Sequence, residues 1–121
     1  MQYESTIELC SIWAPGVSYR IERMSFGRRL ELVKHVRELL ARQEFHAGGD
    51  SPLDKVDASA LSLEIDRLYW NWGLLSLEGL MIGNEQATKQ TLLDSGPEPL
   101  VREIVEAIKR ECGLTEDERK N

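Results

Sequence analysis

His35 and His46 are the side chains best suited to hold a metal ion or carry a proton, and their spacing keeps them apart. Eleven residues along one continuous helix puts them on the same side but about 16 Å from each other. One ion cannot reach both, and a site built from His46 and Asp50 needs further ligands that the sequence does not supply nearby. Both histidines therefore read as solvent-edge residues. Carboxylates are plentiful, but their spacings suit solvated helix faces. Glu64 and Asp66 flank Ile65 and diverge, while Glu103 and Glu106 share the outer face of one helix. General acid–base chemistry needs a carboxyl with a shifted pKa in a cleft, and no pattern here forecasts one.

The run Ala47-Gly48-Gly49-Asp50 invites a phosphate-binding reading, but it lacks the Lys-Ser/Thr pair and does not follow a strand. A flexible connection between helices explains it. No Gly-x-Ser-x-Gly elbow occurs, and neither Cys10 nor Cys112 has a histidine close in sequence. The cysteines sit near opposite ends without metal-like spacing and read as reduced, partly buried thiols, which suits a cytosolic protein. Residue chemistry thus gives no catalytic, metal or cofactor site, and the enzyme class finds little support.

The aromatic group Tyr69, Trp70 and Trp72 points elsewhere. Neighbouring helical residues diverge by about 100°, so Trp70 cannot share a face with Trp72. Between Ser51 and Gly73 the chain writes one helix with two apolar stripes. Leu53, Leu61, Ile65, Leu68 and Trp72 form one of them, expected to face the core. Val56, Leu63 and Trp70, seven residues apart, form the other on roughly the opposite side. Either the first helix or a β segment covers that second stripe, or it is a docking surface, since exposed aromatics concentrate binding energy at interfaces. Val56, Leu63 and Trp70 are the candidate partner-binding residues. Arg28 and Arg29 are a secondary candidate patch. They lie at the unfavourable end of a helix dipole, which calls for a partner or a compensating carboxylate.

The elements that must position these residues follow from periodicity. Ile7 and Leu9, then Val17, Tyr19 and Ile21, alternate with polar residues around Ala14-Pro15-Gly16, which predicts an N-terminal β-hairpin over residues 1–24. Ser25 is a candidate N-cap. Phe26, Leu30, Val33, Val36 and Leu40, widened by Leu32 and Leu39, form the expected buried face of the following helix, which ends near Phe45 or His46. Ser51-Pro52-Leu53-Asp54 opens the next helix. Together they predict an antiparallel helix pair over 25–73. A short β segment over 74–87 follows, then C-terminal helices over 88–113. These start at Thr88 and after Gly96-Pro97, with Gly113 as the left-handed stop. Thr115-Glu116-Asp117-Glu118 has a capping-box pattern in a tail over 114–121 whose last residues read as frayed. The expectation is a single domain, residues 1–121, of the α+β class with helix dominant.

Composition narrows the partners. The chain has 41% hydrophobic and 30% charged residues, as in an ordinary soluble globular protein, and a net charge of -6. That balance argues against nucleic acid or an anionic membrane as the main partner. The N-terminus has no basic and then apolar run typical of a signal peptide, and no apolar stretch approaches a membrane span.

Three stretches together resemble the tail assembly chaperones of long-tailed bacteriophages. They are Arg23-Met24-Ser25-Phe26-Gly27-Arg28-Arg29, the step Trp70-x-Trp72-Gly73-Leu74 into Leu77-x-Gly79-Leu80, and the ending. That ending runs from Gly96-Pro97-Glu98-Pro99-Leu100 through Glu111-Cys112-Gly113-Leu114-Thr115 to Glu118-Arg119-Lys120-Asn121. The resemblance implies a small non-catalytic protein, encoded just before the tape-measure gene and acting in the cytoplasm of the bacterial host. Such proteins coat the tape-measure protein, recruit tail-tube protein as the tail grows, and leave before it is finished. A fraction is often made as a longer frameshifted product. A head–tail or tail-completion subunit, or a small regulator binding a host protein, are the alternatives. The resemblance transfers no binding residues, so Val56, Leu63, Trp70, Arg28 and Arg29 rest on residue patterns alone.

Overall fold

The computed structural model describes residues 1–113, so the expected capping box and frayed end over 114–121 lie outside the described residues. The chain is α+β and helix-dominated. It divides into two compact units: Met1–Arg23 with Trp70–Glu111, and Met24–Tyr69 with Cys112.

The first unit is built on an antiparallel sheet. Strands β1 (Thr6–Cys10) and β2 (Ser18–Glu22) form the expected hairpin, and β3 (Leu74–Glu78) pairs with the other side of β2. Alternation fixes the register: Ile7 lies opposite Ile21 and Leu9 opposite Tyr19, while Tyr19 also faces Leu77. Val17, Tyr19, Ile21, Leu74 and Leu77 are buried, so one face of this sheet is apolar. Two short strands, β4 (Met81–Ile82) and β5 (Glu85–Gln86), close a tight hairpin. Helix α3 (Lys89–Ser95) follows. Its first turn is closed reciprocally: Thr88 Oγ1 accepts from the Thr91 amide at 3.1 Å, and Thr91 Oγ1 accepts from the Thr88 amide at 2.8 Å. Helix α4 (Glu98–Cys112) buries Leu100, Ile104, Ala107 and Ile108 at helical spacing, and Gly113 follows with φ +56°.

The second unit is a helical hairpin of α1 (Phe26–Ala47) and the greater part of α2 (Pro52–Gly73). Ser25 Oγ accepts from the Arg28 amide and Ser51 Oγ from the Asp54 amide, so both helices start where side-chain capping predicts. Contacts step outward from the turn, His46 meeting Asp54 and Gln43 meeting Ala58 and Ser62, so the helices run antiparallel. The buried set is Leu32, Val36 and Leu40 on α1, with Ala58, Leu61, Ile65 and Tyr69 on α2.

Four expectations about faces are corrected here. The apolar rhythm of α1 puts Phe26 and Leu30 on its core face, yet they are 82% and 63% exposed. At about 100° per residue they point roughly a quarter-turn away from Leu32, Val36 and Leu40, and this narrower face is the one that packs. Leu53 is exposed because it precedes the buried run of α2 and points about a third of a turn away from Ile65. Trp70 is fully buried, whereas Val56 and Leu63 in the same stripe are exposed. The periodicity is right, but the surroundings change along the helix. At Gly73, one turn on, the missing side chain admits Ile108, whose Cγ2 stands 2.5 Å from where a Cβ would be. Trp70 and Gly73 belong to the sheet unit, whereas Val56 and Leu63 belong to the helical one. Last, of the two free cysteines Cys112 is buried but Cys10 is exposed.

Candidate interaction surfaces

Three groups of apolar side chains lie at the surface of the described residues. On α1, Phe26, Leu30 and Val33 recur at four and three residues and line a groove together with Arg29, Lys34 and Arg37. Cations rim this groove, and no carboxylate lines it. Arg29 is thus brought against an apolar floor, while Arg28, half-buried, lies off to one side. On α2, Leu53, Val56 and Leu63 are 69%, 63% and 58% exposed and fall on one stripe with Ala60. Of the sequence candidates, Val56 and Leu63 therefore remain together on the surface, and Trp70 leaves the set.

The third group lies in the sheet unit and sequence reasoning did not single it out. Ile12 and Trp13, 91% and 51% exposed, sit at the turn between β1 and β2. The turn is held from a distance of some ninety residues. Glu103 Oε1 accepts from Ser11 Oγ at 3.1 Å and from the amides of Ile12 and Trp13 at 3.0 and 2.8 Å. Ser11 Oγ in turn accepts from the Ala14 amide, and the Val17 amide donates to Ala14 O. A carboxylate taking three donors is a strong anchor. Sequence spacing puts Glu103 on the solvated outer face of its helix, and nothing local marks its partner. The only sequence clue is its place one residue before Ile104, at the edge of the buried stripe.

The same carboxylate acts on Tyr19. Burial first, then the neighbouring Glu103 charge, pushes the Tyr19 phenol up to about 12, with Arg110 opposing in part. The unfolded phenol ionises near 10.0. Tyr19 therefore contributes stability that is full below pH 10 and is lost as pH rises from there toward 12. Denaturant midpoints measured across that window should fall steeply for the wild type. They should fall less for Tyr19→Phe, which has no proton to lose.

Two polar clusters fix the ends of α2. At its start, His46 Nδ1 lies 3.1 Å from Asp54 Oδ1 and 3.8 Å from Asp57 Oδ2. Hydrogen bonds from His46 and then Ser51 hold the Asp54 carboxyl below its ordinary value. This is a clasp across the helix turn, and the sequence reading of His46 as a plain solvent-edge residue missed it. At the other end, Lys89 Nζ donates to the carbonyls of Asn71 and Leu74 at 2.9 and 2.8 Å. A cation there suits the negative end of the helix dipole, while burial lowers the Lys89 pKa. Among the described residues no three His, Cys, Asp or Glu side chains are grouped to hold a metal ion, and no helix is long and apolar enough to cross a membrane. No protein-family model matches the chain, and no curated protein or solved structure does either.

Proposed function

We propose that this chain is a non-enzymatic interaction protein whose helical hairpin binds an amphipathic helix of another polypeptide. Its specific role, on the resemblance of its sequence, is that of a tail assembly chaperone of a long-tailed phage. It would hold the tape-measure protein and recruit tail-tube subunits in the host cytoplasm. The observation supporting the reading is the exposure of Phe26, Leu30, Leu53, Val56 and Leu63 on two adjacent, well-capped helices. Large apolar side chains repeated at three- and four-residue spacing on a surface are the form that helix-on-helix recognition takes. A holding protein needs such a surface to be renewable, and the net charge of -6 keeps the free chain soluble.

Co-expression with the tape-measure protein of the same genome tests this. The wild type should co-purify with it, and Leu63→Glu should lower capture at least about tenfold, as expected for a charge placed in an apolar contact. A tape-measure protein that is captured equally by both variants, or by neither, overturns the reading. Retention of the chain in finished particles at fixed stoichiometry favours the structural-subunit alternative instead.

A further inference from the structure

We infer that the outer edge of β1 accepts an extended segment of another polypeptide as a fourth strand, one with an apolar and a basic face. This edge lies in the sheet unit, so the inference does not depend on the helical hairpin or its proposed role.

The hydrogen-bond pattern shows which backbone groups are open. Ser11 N donates to Val17 O at 2.8 Å, and Arg23 N donates to Ser5 O at 2.9 Å. The register sets Ile7 against Ile21 and Leu9 against Tyr19, so the odd-numbered residues of β1 bond to β2. The amides and carbonyls of Thr6, Glu8 and Cys10 point the other way. The sheet runs β1-β2-β3, and no backbone group among the described residues pairs with that outer side of β1. At the opposite edge, by contrast, Lys89 Nζ takes the carbonyl of Leu74 at 2.8 Å.

Natural sheet edges are guarded by proline, a bulge or an outward-reaching charge. β1 has no proline and pairs with β2 without a register shift. Its one charge is drawn back across the sheet: Arg20 Nη2 donates to Glu8 Oε2 at 3.0 Å, and Arg20 Nη1 to Thr6 Oγ1 at 3.0 Å. An unguarded strand of five residues remains.

The two faces of the sheet define the chemistry of the segment. Ile7 and Leu9 share the core face with Tyr19 and Ile21, but they are only half-buried where the β2 pair is buried. The apolar layer stops short at β1, and alternate apolar side chains on an added strand would complete it. On the other face the three strands carry Glu8, Glu22 and Glu78, with Arg20 as their one cation. Basic side chains at the intervening positions offset that charge, and acidic ones are rejected. Just past Cys10, Glu103 ties the amides of Ile12 and Trp13, which holds two exposed apolar side chains in place beyond the open edge. Ordering them in advance lowers the cost of binding. A second copy's β1 suits the edge badly. The centred antiparallel register sets Glu8 against Glu8, and a register moved by two residues leaves part of each strand unpaired.

The probe is a short blocked peptide of alternating valine and lysine, tagged with a fluorophore and added to the full chain. Anisotropy should show saturable binding, with the valine–glutamate analogue binding at least about tenfold more weakly. Amide exchange followed by NMR locates the peptide. It should slow exchange at Thr6, Glu8 and Cys10 at least about tenfold and leave Ile7 and Leu9 nearly unchanged. Glu8→Pro removes an outward amide while sparing the bonds to β2, so it should melt within a few degrees of the wild type. It should bind at least about tenfold more weakly than Glu8→Thr, which keeps the amide. If Glu8→Pro fails to fold, the exchange pattern of the wild type decides alone. No saturable binding, or binding without slowed exchange at Thr6, Glu8 and Cys10, overturns the inference. A free chain that sediments above monomer mass with those three amides already slow assigns the edge to a second copy and overturns it too. Capture of the tape-measure protein through the helical hairpin is unaffected by any of these results.

Discussion

Trp70→Ala should destabilise the fold of this protein rather than disable a surface. Trp70 has no exposed surface, and its neighbour Tyr69 is only 3% exposed, so the last turn of α2 is enclosed on more than one side. Truncating a buried tryptophan to alanine costs about 3–5 kcal/mol, through lost transfer energy and the cavity left behind. Against a typical total stability of about 5–15 kcal/mol, that is a large share. For a chain of this size the melting temperature should drop by roughly 10–20 °C. Trp70→Phe should be milder. It keeps most of the apolar volume and removes the indole Nε1, which is buried without a hydrogen-bond partner. Thermal unfolding followed by circular dichroism checks both. Near-wild-type stability of Trp70→Ala would return this residue to the surface stripe.

Gly79→Ala should be nearly as damaging, for a backbone reason. Gly79 has φ +89°, where residues with a side chain are strained, and an added Cβ would stand 2.1 Å from Gly16 O. The neighbour is main chain of the β1–β2 hairpin, which cannot rotate aside. Left-handed strain of about 1–2 kcal/mol and overpacking of about 1–3 kcal/mol combine to roughly 2–5 kcal/mol. Gly83 is the control: its φ is +63° but nothing lies within 4 Å of its added Cβ. Gly83→Ala should therefore show only the strain, about 1–2 kcal/mol. Urea denaturation of the two variants side by side separates conformation from crowding. Equal midpoints would mean that the close approach of Gly79 to Gly16 is not made.

Local signals were legible in the sequence where the physics is local. Alternation in Val17, Tyr19 and Ile21, the caps at Ser25, Ser51 and Thr88, and the spacing of Leu100, Ile104 and Ile108 all name elements the structure contains. Which face of a helix packs is another matter, because it depends on what lies beside it. Phe26 and Leu30 continue the apolar rhythm of α1 but are exposed, because Leu32, Val36 and Leu40 supply the face that packs. Trp70 follows Val56 and Leu63 at a perfect seven-residue interval, yet it belongs to the sheet unit and is fully buried. The stripe at Val56 and Leu63 was visible from spacing alone. The exposed stripe on α1 was hidden because the same residues also fit a core face. Long-range polar anchors were invisible for a simpler reason. Glu103 reaches Ser11, Ile12 and Trp13, and Lys89 reaches Asn71 and Leu74, across separations that no sequence window spans.

The helical hairpin carries apolar surface that the described residues leave open. The most direct test is the thermal midpoint of Leu30→Glu and Leu63→Glu, each measured where the chain is dilute enough to be monomeric. Both side chains are more than half exposed, so both variants should melt within a few degrees of the wild type, as surface substitutions do. A carboxylate forced into a core would instead cost several kcal/mol and unfold the hairpin. Loss of the folded state in either variant would contradict the account.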